Sequence, residues 1–218
     1  MSFTLVIILS FAITIPALLG LIRYRAIDPV YQPFLWCLWI GLLNEIISVL
    51  LLWYRKPTVI NINLYYLIEA LLFLLLFKNL GSFRRKQMVF FILLGAMVVG
   101  WLSETLLLSH MIGFNSYFLI GYAATLCILS VVMISELLVR VRTNLLKNSE
   151  FIICVAFLVY YTFEILSEIF WMYGLGENKQ FRMNVEWISV FTNLFANLLY
   201  TIAIAWMPIK RKFSLPSL

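Results

Sequence analysis

The residues with the most chemical potential in this chain are glutamates set in apolar surroundings. Glu45, Glu69, Glu104, Glu164 and Glu168 lie within long hydrophobic runs, and Glu136 and Glu186 lie near the ends of such runs. No lysine or arginine sits mid-run to pair with them. An ionised side chain at a bilayer centre costs about 2.5–3.5 kcal/mol on insertion scales, so five unpaired carboxylates would cost on the order of 10 kcal/mol. That is comparable to the whole stability of an ordinary domain. Such groups must face a protein interior, carry protons, bind a cation or meet water.

Spacing gives the glutamates company. Tyr161, Glu164, Glu168 and Trp171 follow one another at intervals of three, four and three, which places them on one helix face. Glu186, Ser189, Asn193, Asn197 and Tyr200 share a side further on, and Gly41, Asn44, Glu45 and Ser48 cluster earlier. Asn63, Tyr65 and Tyr66 open the third apolar run. Carboxylates beside aromatic faces suit a proton, a metal cation or an organic amine, because tyrosine and tryptophan rings attract cations.

The elements that position these residues follow from composition. The chain has 218 residues, 64% hydrophobic and 12% charged, where a soluble domain carries roughly 25% charged residues. Lipid must therefore be its solvent. Apolar runs of about 20 residues, enough to cross roughly 30 Å of hydrocarbon as helix, fall near 3–22, 33–53, 60–78, 88–108, 116–138, 151–173 and 185–207. The expected fold is all-α: one integral membrane bundle of seven transmembrane helices over residues 1–218. Alternating polarity, the mark of a barrel, is absent. The opening run lacks the basic start of a signal peptide and reads as a retained helix.

Basic residues set the orientation. Loops one, three and five and the tail hold Arg23, Arg25, Lys78, Arg84, Arg85, Lys86, Arg140, Arg142, Lys147, Lys210, Arg211 and Lys212. The opposite side holds only Arg55, Lys56, Lys179 and Arg182. The carboxyl terminus is thus expected in the cytoplasm and the amino terminus outside, as in a bacterial inner-membrane protein. Glu45, Glu104 and Glu164 recur at intervals of 59 and 60 residues on helices two, four and six. This suggests a weak repeat of three helical hairpins after helix one, a common plan in transporters.

Together these features predict one acidic, aromatic-lined cavity open to the outside, built mainly by helices two, three, six and seven. Glu45, Glu164 and Glu168 would bind a cation or exchange protons, with Glu69 and Glu104 as secondary carboxylates. Tyr65, Tyr66, Tyr161, Trp171, Asn193 and Asn197 would line the path, and Asn44 and Glu186 would border it.

Other chemistries are disfavoured. No mid-span lysine could carry a retinal Schiff base. His110 is the sole histidine and Asp28 the sole aspartate, so a multi-histidine zinc site and an intramembrane aspartyl dyad are both missing. No metalloprotease, nucleophile-elbow or phosphate-loop motif occurs. Cys37, Cys127 and Cys154 sit in apolar runs as packing residues. The net charge of +6 collects at helix ends and forms no nucleic-acid face.

An enzyme is disfavoured and no cofactor is expected. The leading expectation is binding and translocation of protons or a small cationic solute. One alternative is a sensor passing an outer stimulus to a cytoplasmic signalling partner, with basic loops that suit a partner or anionic lipid. Another is an accessory subunit of a larger complex, or a homo-oligomer.

Overall fold

A computed structural model describes residues 9–84, 86–108, 113–140, 144–173 and 179–210. Among them the chain is helical, with no strand. A single-turn helix at Phe11–Ile13 leads into α1 (Thr14–Arg23). There follow α2 (Gln32–Trp53), α3 (Val59–Leu80), α4 (Gln87–Ser103), α5 (Ser116–Arg140), α6 (Ser149–Met172) and α7 (Lys179–Trp206). Six of these, α2 to α7, are long and apolar enough to cross a membrane. The described part of the first run, Phe11–Arg23, is a shorter apolar helix. Residues 3–8 of the expected 3–22 span lie outside the described residues, as does His110.

Local chemistry explains the ends. Asn148 caps α6 by accepting a hydrogen bond from the Phe151 N–H at 3.1 Å. Gly81 ends α3 with φ at +97°, a left-handed conformation that glycine adopts without steric cost. Its N–H reaches the Lys78 carbonyl at 3.1 Å, and the Ser82 N–H reaches the Phe77 carbonyl at 3.1 Å. The last helix begins six residues before the expected 185. Its first turns are polar and escape a hydropathy reading. Side-chain pairs at i and i+4 support them, Gln180 to Asn184 at 3.3 Å and Arg182 to Glu186 at 3.9 Å.

The helices close into a ring. α1 touches α2 and α7, α2 lies on α3, α5 on α6, and α6 on α7. Among the described residues α4 packs mainly along α3 and α5 and leaves most of its surface outside the bundle. Large apolar side chains cover the outer surface, while Glu69, Asn63, Asn115 and Asn197 are buried inside. This is the polarity expected where lipid replaces water.

The expected inner loops do gather at one end. The Asp28 N–H donates to the Pro208 carbonyl at 3.0 Å, the Lys210 N–H to the Ala26 carbonyl at 2.8 Å, and Ile27 forms an isolated bridge with Ile209. The Arg23 guanidinium caps α7 by donating to the carbonyls of Ile204 and, at 2.6 Å, Ala205. Ser149 donates to the Tyr31 hydroxyl at 2.9 Å, which brings loop five to loop one. We refer to this as the basic end.

The half of the bundle toward the basic end is filled with aromatic rings. Phe34, Phe73, Phe77, Phe157, Tyr161 and Tyr200 are buried there. Phe73 and Phe157 lie 4.5 Å apart between centroids, and Phe34 meets Tyr200 edge-on at 5.3 Å.

Candidate functional site

The polar interior begins one turn above this aromatic core, at Glu69 on α3. Both of its carboxylate oxygens accept tyrosine hydroxyls. Tyr65, one turn earlier on the same helix, donates to Oε1 at 2.7 Å, and Tyr122 of α5 donates to Oε2 at 2.6 Å. The Tyr161 hydroxyl of α6 turns toward the same carboxylate without completing a hydrogen bond. Its ring meets that of Tyr122 edge-on at 5.6 Å. Tyr65 reaches this position because residue 41 on α2 is glycine. A Cβ there would stand 3.1 Å from the Tyr65 hydroxyl and 2.7 Å from Ile13 Cδ1.

Tyr66 is the centre of the wider cluster. Its hydroxyl lies within electrostatic reach of Glu164, Glu69, Glu168 and Glu45. Glu164 meets the Tyr160 hydroxyl and lies within electrostatic reach of two of the other glutamates, Glu69 and Glu168. Glu45 neighbours the Ser10 hydroxyl, where α2 meets the start of the described chain. Glu168 accepts a hydrogen bond from Ser116, the first residue of α5.

A cavity of about 410 Å³ opens beside this cluster, at the end away from the basic loops. Tyr66, Phe114, Asn115, Ser116, Leu119, Glu168, Trp171 and Met172 line it. No lysine or arginine stands among them. Its wall is acidic at Glu168, aromatic at Tyr66, Phe114 and Trp171, and otherwise neutral. Among the described residues no three histidine, cysteine or acidic side chains stand close enough to hold a metal ion.

The structure thus gathers Glu45, Glu69, Glu164, Glu168, Tyr65, Tyr66, Tyr161 and Trp171. It places the other expected site residues elsewhere. Glu104 belongs to a turn of π-helix, Glu104–Leu108, that ends α4. Its carboxylate accepts the Tyr117 N–H at 3.0 Å and the Phe118 N–H at 2.5 Å, so it caps α5. Of the three evenly spaced glutamates, Glu45 and Glu164 therefore serve the cluster and Glu104 serves the architecture. Asn44 accepts from Asn61 at 2.8 Å and ties α2 to α3. Glu186 is exposed and paired with Arg182. Asn197 donates to Asn193 at 2.9 Å and borders a small hollow with Ala12 and Ile15, on the α1 side of α7. The cavity wall accordingly uses α3, α6 and the start of α5, where the pattern suggested α2, α3, α6 and α7.

Several participants escaped sequence reasoning. Tyr122, Tyr160 and Ser116 look like ordinary members of apolar helices, and only their partners reveal them. A second buried clasp also emerges. Asn115 donates to Thr105 at 2.6 Å, its N–H reaches Asn63 at 3.2 Å, and Trp101 donates to the Asn63 carbonyl at 2.8 Å. This network fixes the Asn115–Ser116 rim of the cavity to α3 and α4.

The tyrosine clasp has a measurable weight. Removing a hydrogen bond to a charged group costs about 1.5–3 kcal/mol. Tyr122→Phe should lower the unfolding free energy of the purified protein by about 2 kcal/mol. Gly41→Ala, which displaces Tyr65, should lower it by roughly 1–3 kcal/mol, as overpacking does. Thermal unfolding of both variants beside the parent checks each value.

Compared with known proteins, the chain matches no family model, no curated protein and no solved structure. The functional reading therefore rests on the site itself.

Proposed function

We propose that this membrane helical bundle binds protons or a small organic cation in the acidic, aromatic-lined cavity and carries them across the bilayer. One observation carries the reading: Glu45, Glu69, Glu164 and Glu168 all lie within electrostatic reach of the Tyr66 hydroxyl, and a cavity edged by Glu168 and Trp171 opens next to it. Carboxylates without a cationic partner leave room for a mobile positive charge. Aromatic faces at Tyr66 and Trp171 favour an ammonium group over a strongly hydrated metal.

In this reading α1 is the first of seven crossings, with the amino terminus outside and the basic end in the cytoplasm of a bacterial cell. The cation enters from outside, meets Glu168 and Trp171 first, and reaches Glu164 and Glu45 next. Glu69 with its tyrosines forms the floor. Proteoliposomes loaded with a pH-sensitive dye, and with a radiolabelled quaternary ammonium probe in a parallel assay, test it. Flux of either species should fall at least tenfold in Glu164→Gln and Glu45→Gln. Flux unaffected by both replacements would sink the mechanism.

A specific observation favours a second reading. The floor at Glu69 rests on tightly packed rings of Phe73, Phe77, Phe157 and Tyr200, which separate the cavity from the basic end. A closed half of this kind suits a sensor that binds an outer cation and passes a small helix movement to a cytoplasmic partner. Saturable binding of the probe with no flux in the same liposomes would select this reading over transport.

A further inference from the structure

A second cavity, of about 360 Å³, lies at the basic end and is not used by the reading above. It is lined by Lys78, Gly81, Phe83, Arg84, Gln87, Phe90 and Phe91, where the turn after α3 feeds into α4. The left-handed Gly81 reverses the chain so that Lys78 and Arg84 face one hollow from its two sides. The Lys78 ammonium is held 4.4 Å above the Phe90 ring, an attraction that positions its charge without neutralising it. Among the described residues, neither Lys78 nor Arg84 has a carboxylate within ion-pair distance. The hollow therefore presents two uncompensated cations against an aromatic floor.

The surface beside it is apolar. Phe91 forms part of the wall, and α4 continues away from the basic end with Met88, Phe91, Ile92 and Val99 exposed at 77%, 62%, 61% and 65%. A free phosphate or a soluble acidic peptide would leave this strip unused. A molecule with an anionic head and a hydrocarbon tail would use both parts. Basic pockets at the membrane surface bind acidic headgroups by this combination.

We propose that the α3–α4 groove is a binding site for an anionic phospholipid. Lys78 and Arg84 hold the phosphate, and an acyl chain lies along the exposed face of α4. The site is independent of the acidic cavity, so the fate of the cation reading does not decide it.

The experiment is native mass spectrometry of the full chain, titrated with phosphatidylglycerol or phosphatidylcholine of matched chain length. Each basic residue near the surface contributes about fivefold in affinity. Phosphatidylglycerol should bind about twentyfold tighter than phosphatidylcholine. Lys78→Gln and Arg84→Gln should each remove about fivefold of that preference, and the double replacement nearly all of it. Arg55→Gln with Lys56→Gln, at the opposite end, should leave it intact. Arg84 stands exposed in a turn, so its single replacement reads the site even if the double variant fails to fold. Equal binding of the two lipids would overturn the proposal, as would a preference untouched by Arg84→Gln. Full competition by glycerol 3-phosphate at the lipid's own concentration would also overturn it, because the headgroup alone would then suffice.

Discussion

Replacing Glu168 by glutamine is expected to weaken binding of a quaternary ammonium probe on the order of a hundredfold. Losing one partner of a buried charge pair costs about 2–5 kcal/mol, and each 1.4 kcal/mol is a factor of ten. Glu168 is the carboxylate that lines the cavity, so its charge is the one a bound ammonium would meet at shortest range. Ser116→Ala removes only the hydroxyl that holds Glu168 in place and should cost less than tenfold. Trp171→Ala should cost roughly thirtyfold, since a desolvated cation–π contact is worth about 2 kcal/mol. Titration of the probe against intrinsic tryptophan fluorescence in nanodiscs measures the first two. Calorimetry serves for the third, where a reporter ring is removed. An unchanged affinity in Glu168→Gln would show that the cavity recognises no cation.

The second large effect concerns stability and involves no ligand. Glu104→Ala should lower the unfolding free energy by about 3–4 kcal/mol. The change strips the Tyr117 and Phe118 N–H groups of their acceptor at the start of α5, in a buried setting. Bonds to a charged acceptor contribute about 1.5–3 kcal/mol each. Glu104→Gln keeps one acceptor oxygen and should lose about half as much. The pair of variants, followed by thermal unfolding in detergent, separates a cap from a ligand-binding carboxylate. If Glu104→Ala unfolds like the parent but loses probe binding, the cap assignment fails and the residue belongs to the cavity.

These two glutamates also show what the sequence could and could not convey. Span positions were legible because hydropathy depends on length and composition alone, and five of the six long helices begin within two residues of the expected runs. The start of α7 was not, because four of its first six residues are polar and its helicity is supported by side-chain pairs. Glu168, which lines the cavity, was legible as a candidate because its neighbours Glu164 and Trp171 lie on the same helix face. Glu104 was not, because its partners depend on a π-turn and a chain reversal that bring α5 back toward α4. Spacing placed Asn193 and Asn197 on a common side correctly, but no pattern within α7 says which helix that side will meet. Tyr122 was hidden for a different reason. A tyrosine in an apolar run usually reads as bulk, and its hydroxyl acquires meaning only when Glu69 of another helix stands 2.6 Å away.

The bridge between Ile27 and Ile209 has a consequence for how the bundle is made. A ribosome delivers the chain from its amino terminus, and domains begin to organise as they emerge. α1 is made long before α7, yet Arg23 finds its carbonyl partners only when residues 204 and 205 arrive, and Ile27 waits for residue 209. α1 is thus locked by a helix whose partner carbonyl lies 181 residues further along the chain. Until that moment the Arg23 guanidinium lacks the two carbonyls it caps, and the seam between α1 and α7 stays open. Assembly of the described helices is a ring closure in which α7 stitches back onto α1.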